Sequence, residues 1–263
     1  MEKEFKCSTC WNMQYELLKD VFFDSKEENE DYILCTSKVI DDYFWNTAYL
    51  KTKTIEDIIS DLGNKFKKIN RIPSLYIGRD DKYYENNRKL ILDKGYKLND
   101  TDVYMLLIDY KDVEINMNIK VVENEKEYND FMKVLASAYN DTIENSAENV
   151  YADSITKCYY DAIKKSMNNN KTYHIIGYNE DNIPVSVATL NMVDGVGGIN
   201  NVGTAQGFWN KGYSKQVLTY LIKLFKQNNG EFLLLSTEYH TKNQKYYEKL
   251  GFKEMYVMEQ YMK

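Results

Sequence analysis

The sequence predicts a mixed α/β protein. It has a central, mostly antiparallel sheet with one strand–helix–strand crossover, laid out as two related halves. Three observations predict this. Residues 172–179, 185–193 and 199–204 read as three strands joined by short turns, which implies an antiparallel meander. Residues 199–237 then read strand, amphipathic helix, apolar strand, and a right-handed crossover of that kind makes the two strands parallel. Finally, 80–108 is echoed by 241–263: each reads helix, then Gly-aromatic-Lys, then a strand carrying Tyr and Met.

Taken in order, the N-terminal residues include Cys7 and Cys10 as a CxxC without the further ligands a zinc site needs. No strand precedes the pair as a thioredoxin-like motif requires, so both read as reduced thiols. Residues 72–78 read as a strand feeding the helix at 80–95, which Gly95 ends. The boundary between the halves falls at 110–118, giving domains at 1–115 and 118–263. Residues 124–139 and 151–167 space their apolar side chains as helices. Val217, Leu218, Leu221, Ile222 and Phe225 share one face of the crossover helix, and Gln216, Thr219, Lys223 and Lys226 the other. The strand 231–237 follows. A helix at 242–250, stopped by Gly251, leads to the last strand.

Composition narrows the function. The 263 residues carry a net charge of −6, without the basic block a nucleic-acid binder would show. No apolar run approaches the ~18 residues of a membrane span, and the charged N-terminus lacks the apolar core of a signal peptide. A cytoplasmic setting is expected, with neither nucleic acid nor membrane as partner. Two prolines, 24 tyrosines and many Lys, Asn and Ile suggest a low-GC bacterial genome.

The stretch between strand and helix holds Gly203, Gly207 and Gly212. A helix start presents unpaired N–H groups and a partial positive charge, and glycines let a ligand's phosphates come close. Gly207 and Gly212 have the spacing of a Walker loop, but Tyr213 stands where its lysine must be. The dinucleotide fingerprint GxGxxG is absent.

With Trp209-Asn210-Lys211-Gly212-Tyr213-Ser214 opening the helix and Tyr247-Glu248-Lys249-Leu250-Gly251-Phe252 closing the next, residues 118–263 resemble the GCN5-related N-acetyltransferases, the GNAT superfamily. The order and spacing of the two motifs carry the resemblance. Trp209 departs from the family's Arg or Gln, and Ser214 from its Gly or Ala. His240 departs too, lying where members often carry an Asn near the pantetheine arm. The first half resembles a degenerate copy without its own phosphate loop, a structural or substrate-shaping domain.

The resemblance implies attack of a primary amine on the thioester of acetyl-CoA, the co-substrate, with no metal. It places the oxyanion donors at Val202, Gly203 and Thr204, and the coenzyme's phosphates against the loop, with Lys211, Lys215 and His240 as further contacts. Tyr247 becomes the proton donor to the leaving thiolate, since a phenol near pKa 10 can protonate one. Glu238, at a strand end, is the candidate base, ahead of the turn residue Asp194. The acceptor is a small-molecule or protein amine, and the chain is a monomer or homodimer. The rival reading is a non-catalytic acyl-CoA-binding or interaction module of the same fold.

Overall fold

The computed structural model of the chain describes residues 7–19, 21–51, 55–139 and 154–263. Packing divides the chain into two units: residues 1–109 with 236–263, and residues 110–235. The first cut falls between Asp109 and Tyr110. The closing segment, however, groups by packing with the first half, although its sequence motif continues the second.

In the first unit a helix α1 (Cys7–Leu18) precedes strands β1 (Ser25–Glu28), β2 (Tyr32–Thr36) and β3 (Thr47–Leu50). These strands pair antiparallel in succession. Helix α2 (Glu56–Lys68) then crosses to β4 (Ser74–Gly78), which lies parallel to β3 with Ala48 opposite Leu75. Helix α3 (Tyr84–Asp93) leads to β5 (Lys97–Leu107). The first half therefore has its own crossover, and repeats the expected order of the second half more fully than 80–108 alone suggested. Ile59, Leu62 and Phe66 recur at helical spacing on α2 and are buried against Leu75, Ile77 and Ile91.

The second unit begins with β6 (Asn118–Val121) and helices α4 (Glu125–Tyr139) and α5 (Ser154–Ser166). Residues 151–153 of the expected second helix lie outside the described residues. Strands β7 (Thr172–Tyr178), β8 (Pro184–Val193) and β9 (Val196–Thr204) form the expected meander. The β8–β9 turn is shorter than the five residues the sequence suggested. Asp194 (φ +48°) and Gly195 (φ +78°) make a two-residue turn with both central residues left-handed, so Val196 already pairs with Val193. Helix α6 (Tyr213–Gln227) buries Val217, Leu218, Leu221, Ile222 and Phe225, and β10 (Phe232–Glu238) returns parallel to β9. Strand order in this unit is β10-β9-β8-β7-β6.

After Leu235 the chain passes into the first unit. There α7 (Lys242–Lys249) precedes β11 (Phe252–Met262). Strand β11 pairs antiparallel on one edge with β4 and on the other with β5, so the first unit reads β1-β2-β3-β4-β11-β5.

Candidate functional site

The β9–β10 ladder is short. It runs from Val196 opposite Phe232 to Ile199 opposite Leu235 and stops, while β9 continues to Thr204 paired with β8. Within that continuation β9 carries a bulge. Val187 faces Gly203 and Thr189 faces Asn200, so β9 uses one residue more than β8 between the two pairs. Asn201 takes the left-handed conformation (φ +52°) there, which Asn tolerates better than most side chains.

A chain of buried hydrogen bonds holds the bulge. Ser166 gives its hydroxyl proton to the Ile163 carbonyl (2.7 Å), so toward His174 Nε2 (2.8 Å) it can only accept. The imidazole is therefore protonated at Nε2, and Nδ1 accepts from the Thr189 hydroxyl (2.9 Å). Thr189 Oγ1 in turn accepts from Asn201 Nδ2 (3.2 Å). Burial pushes the His174 pKa down to about 4, in keeping with a neutral ring.

Helix α4 fixes the other side of the strand. A Cβ on Gly203 would lie 2.7 Å from the Ala138 Cβ, so this glycine is required by close packing. The Tyr139 hydroxyl reaches the Val202 carbonyl (3.4 Å), and Ser137 Oγ accepts the Gln206 N–H (3.0 Å). The Gly203 carbonyl accepts from Ser186 (2.9 Å).

Past Thr204 the loop turns through three left-handed residues: Gly207 (φ +80°), Asn210 (φ +61°) and Gly212 (φ +80°). A Cβ on Gly207 or Gly212 would touch nothing within 4 Å, so conformation rather than packing calls for glycine at both. Gly212 is the N-cap of α6 and has no side chain to cap it, so the Gln216 N–H bonds its carbonyl (3.3 Å) without side-chain help. Trp209, where the family usually has Arg or Gln, is 49% exposed and ties its indole N–H to the Thr204 carbonyl (2.8 Å). Lys211 lies over the Phe208 ring (5.2 Å). Tyr110 secures the helix start from outside the loop, bonding the Lys215 carbonyl (3.2 Å) and Thr219 Oγ1 (2.8 Å). An open, left-handed loop running onto a helix start, with Lys211 and Lys215 beside it, is the kind of geometry that suits an anion.

The remaining sequence candidates lie in the first unit. The Glu238 carbonyl accepts from Thr241 Oγ1 (2.8 Å), and Thr241 caps α7. His240 has φ +60°, gives its N–H to Gln244 Oε1 (2.6 Å), and stacks on Tyr239 at 3.8 Å. Tyr247 is half-buried, edge-on to Phe252 (5.9 Å) and Tyr246 (5.4 Å). Asp194 is accounted for by the hairpin turn. The side chains of Cys7 and Cys10 lie outside the described residues. Among the described residues no group of three or more His, Cys, Asp or Glu is placed to hold a metal, and no helix is long and apolar enough to cross a membrane. Asn201, His174, Ser137 and Tyr110 escaped sequence reasoning because each acts through a long-range pairing with no local motif.

A bulged strand parting from its parallel neighbour, followed by a glycine loop that opens a helix, defines an acetyltransferase-type α/β fold. Residues 137–252 match the acetyltransferase (GNAT) family. Solved structures agree on the fold. A functionally unknown conserved protein from Staphylococcus epidermidis superposes with TM-score 0.69 at 16% identity, over 94% of this chain and 96% of its own. A GCN5-related N-acetyltransferase from Kribbella flavida gives TM-score 0.67 at 12% identity, over 96% and 94%. A tandem GNAT protein from the clavulanic acid biosynthesis pathway gives 0.59 at 8% identity, over 88% and 78%, which fits two GNAT-like halves here. No curated protein matches the sequence.

Proposed function

We propose that the protein is an acetyl-CoA-dependent N-acetyltransferase acting on a primary amine. One observation carries this reading. Within the GNAT-matched segment, a bulged β9 leaves its ladder with β10 and runs into the open, left-handed loop at the start of α6. In this reading residues 118–263 hold the chemistry and residues 1–115 shape the acceptor's approach. The setting is a bacterial cytoplasm.

Acetyl-CoA, when bound, supplies an activated acetyl group on a thioester. The N–H groups of Tyr213, Ser214 and Lys215 face its phosphates, with Lys211 adding charge. The backbone of Val202–Thr204, turned by the bulge, stabilises the negative charge that develops on the acetyl oxygen. The amine nitrogen bonds to the acetyl carbon as the carbon–sulfur bond breaks. Tyr247 gives its proton to the leaving sulfur, and a carboxylate at the end of β10, for which Glu238 is the sequence candidate, takes the proton of the ammonium.

The test is release of free thiol from acetyl-CoA in the presence of a panel of primary amines. Amine-dependent release supports the reading. Coenzyme A binding with no release across the panel would favour a non-catalytic acyl-CoA-binding module instead. Tyr247→Phe keeps the ring, so coenzyme A affinity should hold while kcat falls ~10²–10⁴-fold, the usual worth of general acid catalysis. A kcat within about threefold of wild type, with chemistry rate-limiting, would leave the proton to water.

A further inference from the structure

The first unit holds a cleft of about 550 Å³ that neither the family motifs nor the proposed chemistry uses. Helix α2 contributes Ser60, Asn64 and Lys67 to its lining, and the chain leaving that helix contributes Arg71 and Pro73. The connection from α3 to β5 adds Lys94 and Tyr96, and Lys263 follows the end of β11. Ile59 and Tyr96 are buried, so part of the surface is apolar. Four lining side chains are cations, Lys67, Arg71, Lys94 and Lys263. No Asp or Glu side chain lines the cleft, in a chain whose net charge is −6.

These cations are poorly compensated. Arg71 is half-buried and fixed in place: Nη2 donates to the Ser37 and Lys38 carbonyls (3.2 Å each) and Nη1 to the Asn70 carbonyl (3.3 Å). Its Nε is buried without a hydrogen-bond partner among the described residues. All of these acceptors are neutral. Lys263 lies over the Tyr96 ring (5.4 Å). Among the described residues Lys67, Arg71 and Lys263 form no ion pair, and Lys94 meets only the exposed Glu56 (3.0 Å). Gly63 is a separate sign. It stands in the middle of α2, where every residue but proline favours the helix more. A Cβ there would meet nothing within 4 Å, and the backbone is not left-handed, so neither packing nor conformation calls for glycine. Gly63 does line the cleft, and a side chain on it would take up that space.

We propose that this cleft binds a small polyanion, a compact molecule bearing two or more carboxylate or phosphoryl groups. It gives the first half a ligand of its own, shares no residue with the glycine loop of the second unit, and does not depend on the acetyltransferase reading. A concave surface lined by charges of one sign focuses its field on the opposite charge. A guanidinium already partly withdrawn from water, with no counterion, gains more from an anion than a solvated one does. The cations come from three separate elements, so a ligand with more than one negative charge engages them best. The volume is that of a small-molecule site. Gly63 leaves room for the body of the ligand, and Ile59 and Tyr96 give that body an apolar surface.

The test is calorimetric titration of the full chain with citrate and, separately, with inorganic pyrophosphate, at ionic strength held constant with sodium chloride. At least one should bind with Kd below about 1 mM, and the tighter of the two shows which anionic group is preferred. Raising the salt should weaken that binding. Gly63→Leu should keep the helix and leave Tm unchanged or higher, while affinity falls at least about tenfold because the side chain fills the cleft. Lys67→Gln changes an exposed residue and should weaken binding about three- to tenfold. Lys211→Gln, in the loop of the second unit, should leave it unchanged. Binding of neither anion overturns the proposal. So does binding that Gly63→Leu and Lys67→Gln both leave intact. Binding lost in Lys211→Gln but kept in Gly63→Leu also overturns it, since the anion then sits at the glycine loop. If Gly63→Leu fails to fold, Lys67→Gln against Lys211→Gln still decides.

Discussion

His174 shows how one buried side chain constrains a strand several residues away. Its neutral tautomer is set from one end, because Ser166 has already given its proton to Ile163. A second proton on Nδ1 would face the Thr189 hydroxyl, whose hydrogen points at it, and Thr189 is the acceptor for Asn201 in the bulge. The folded pKa, about 4, lies below the ordinary 6.5, so the unfolded chain takes up the proton first on acidification. The contribution of His174 to stability is therefore complete above about pH 6.5 and is lost as the pH falls through about 4. At about 1.4 kcal/mol per pH unit, that window corresponds to about 3 kcal/mol. Urea unfolding at stepped pH should show the wild type losing stability more steeply between pH 6.5 and 4 than His174→Gln. Glutamine retains a donor and an acceptor but does not titrate. Parallel curves for the two proteins would remove His174 from the acid response. None of this is visible in the sequence, where nothing marks His174: its partners are 8 and 15 residues away, one at the end of α5 and one across the β7–β8 register.

The loop and helix were far more legible, because their signals are local. Helical spacing of apolar residues on α6, and the glycines before it, depend on residues within a turn of one another, and the structure begins α6 at Tyr213, directly after Gly212. The bulge in β9 was not legible, since it is a mismatch between two strands and neither strand encodes it alone. The glycines also divide in a way the sequence could not show. Gly203 is required because α4 comes close, whereas Gly212 is required only by φ +80°. Gly212→Val should thus strain the backbone by about 1–2 kcal/mol, the cost of a left-handed L-residue, without creating a clash in the core. Its melting temperature should fall modestly, while coenzyme A affinity, measured by calorimetry, should drop at least tenfold because the loop can no longer hold its turn. Unchanged affinity would remove the phosphate-loop reading of this element.

At the scale of the whole chain, the segment that closes the sequence completes the unit that opens it. The motif at 247–252 reads as the end of the second half, and consecutive elements usually neighbour one another, so the sequence offered no reason to place β11 elsewhere. The structure instead sets β11 between β4 and β5, with Tyr261 inside the core of the first unit beside Leu62, Phe66 and Ile91. Glu259 is 3% exposed and meets the Arg79 guanidinium at 2.8 Å, tying β11 to the residue after β4. A chain ending at Gly251 would lose the buried side chains of Phe252, Tyr256, Val257, Met258 and Tyr261 together. Removing one large buried aromatic side chain costs about 3–5 kcal/mol, and a domain's whole stability is about 5–15 kcal/mol. Three aromatics at that rate, about 9–15 kcal/mol, reach the size of that whole margin even before the ladders are counted. Hydrogen exchange on the truncated chain should therefore show β2 to β5 unprotected, although every residue of those strands is present. Protection of β4 and β5 equal to that in the full chain would mean that β11 is an addition to an already stable unit, and that the first half folds without it.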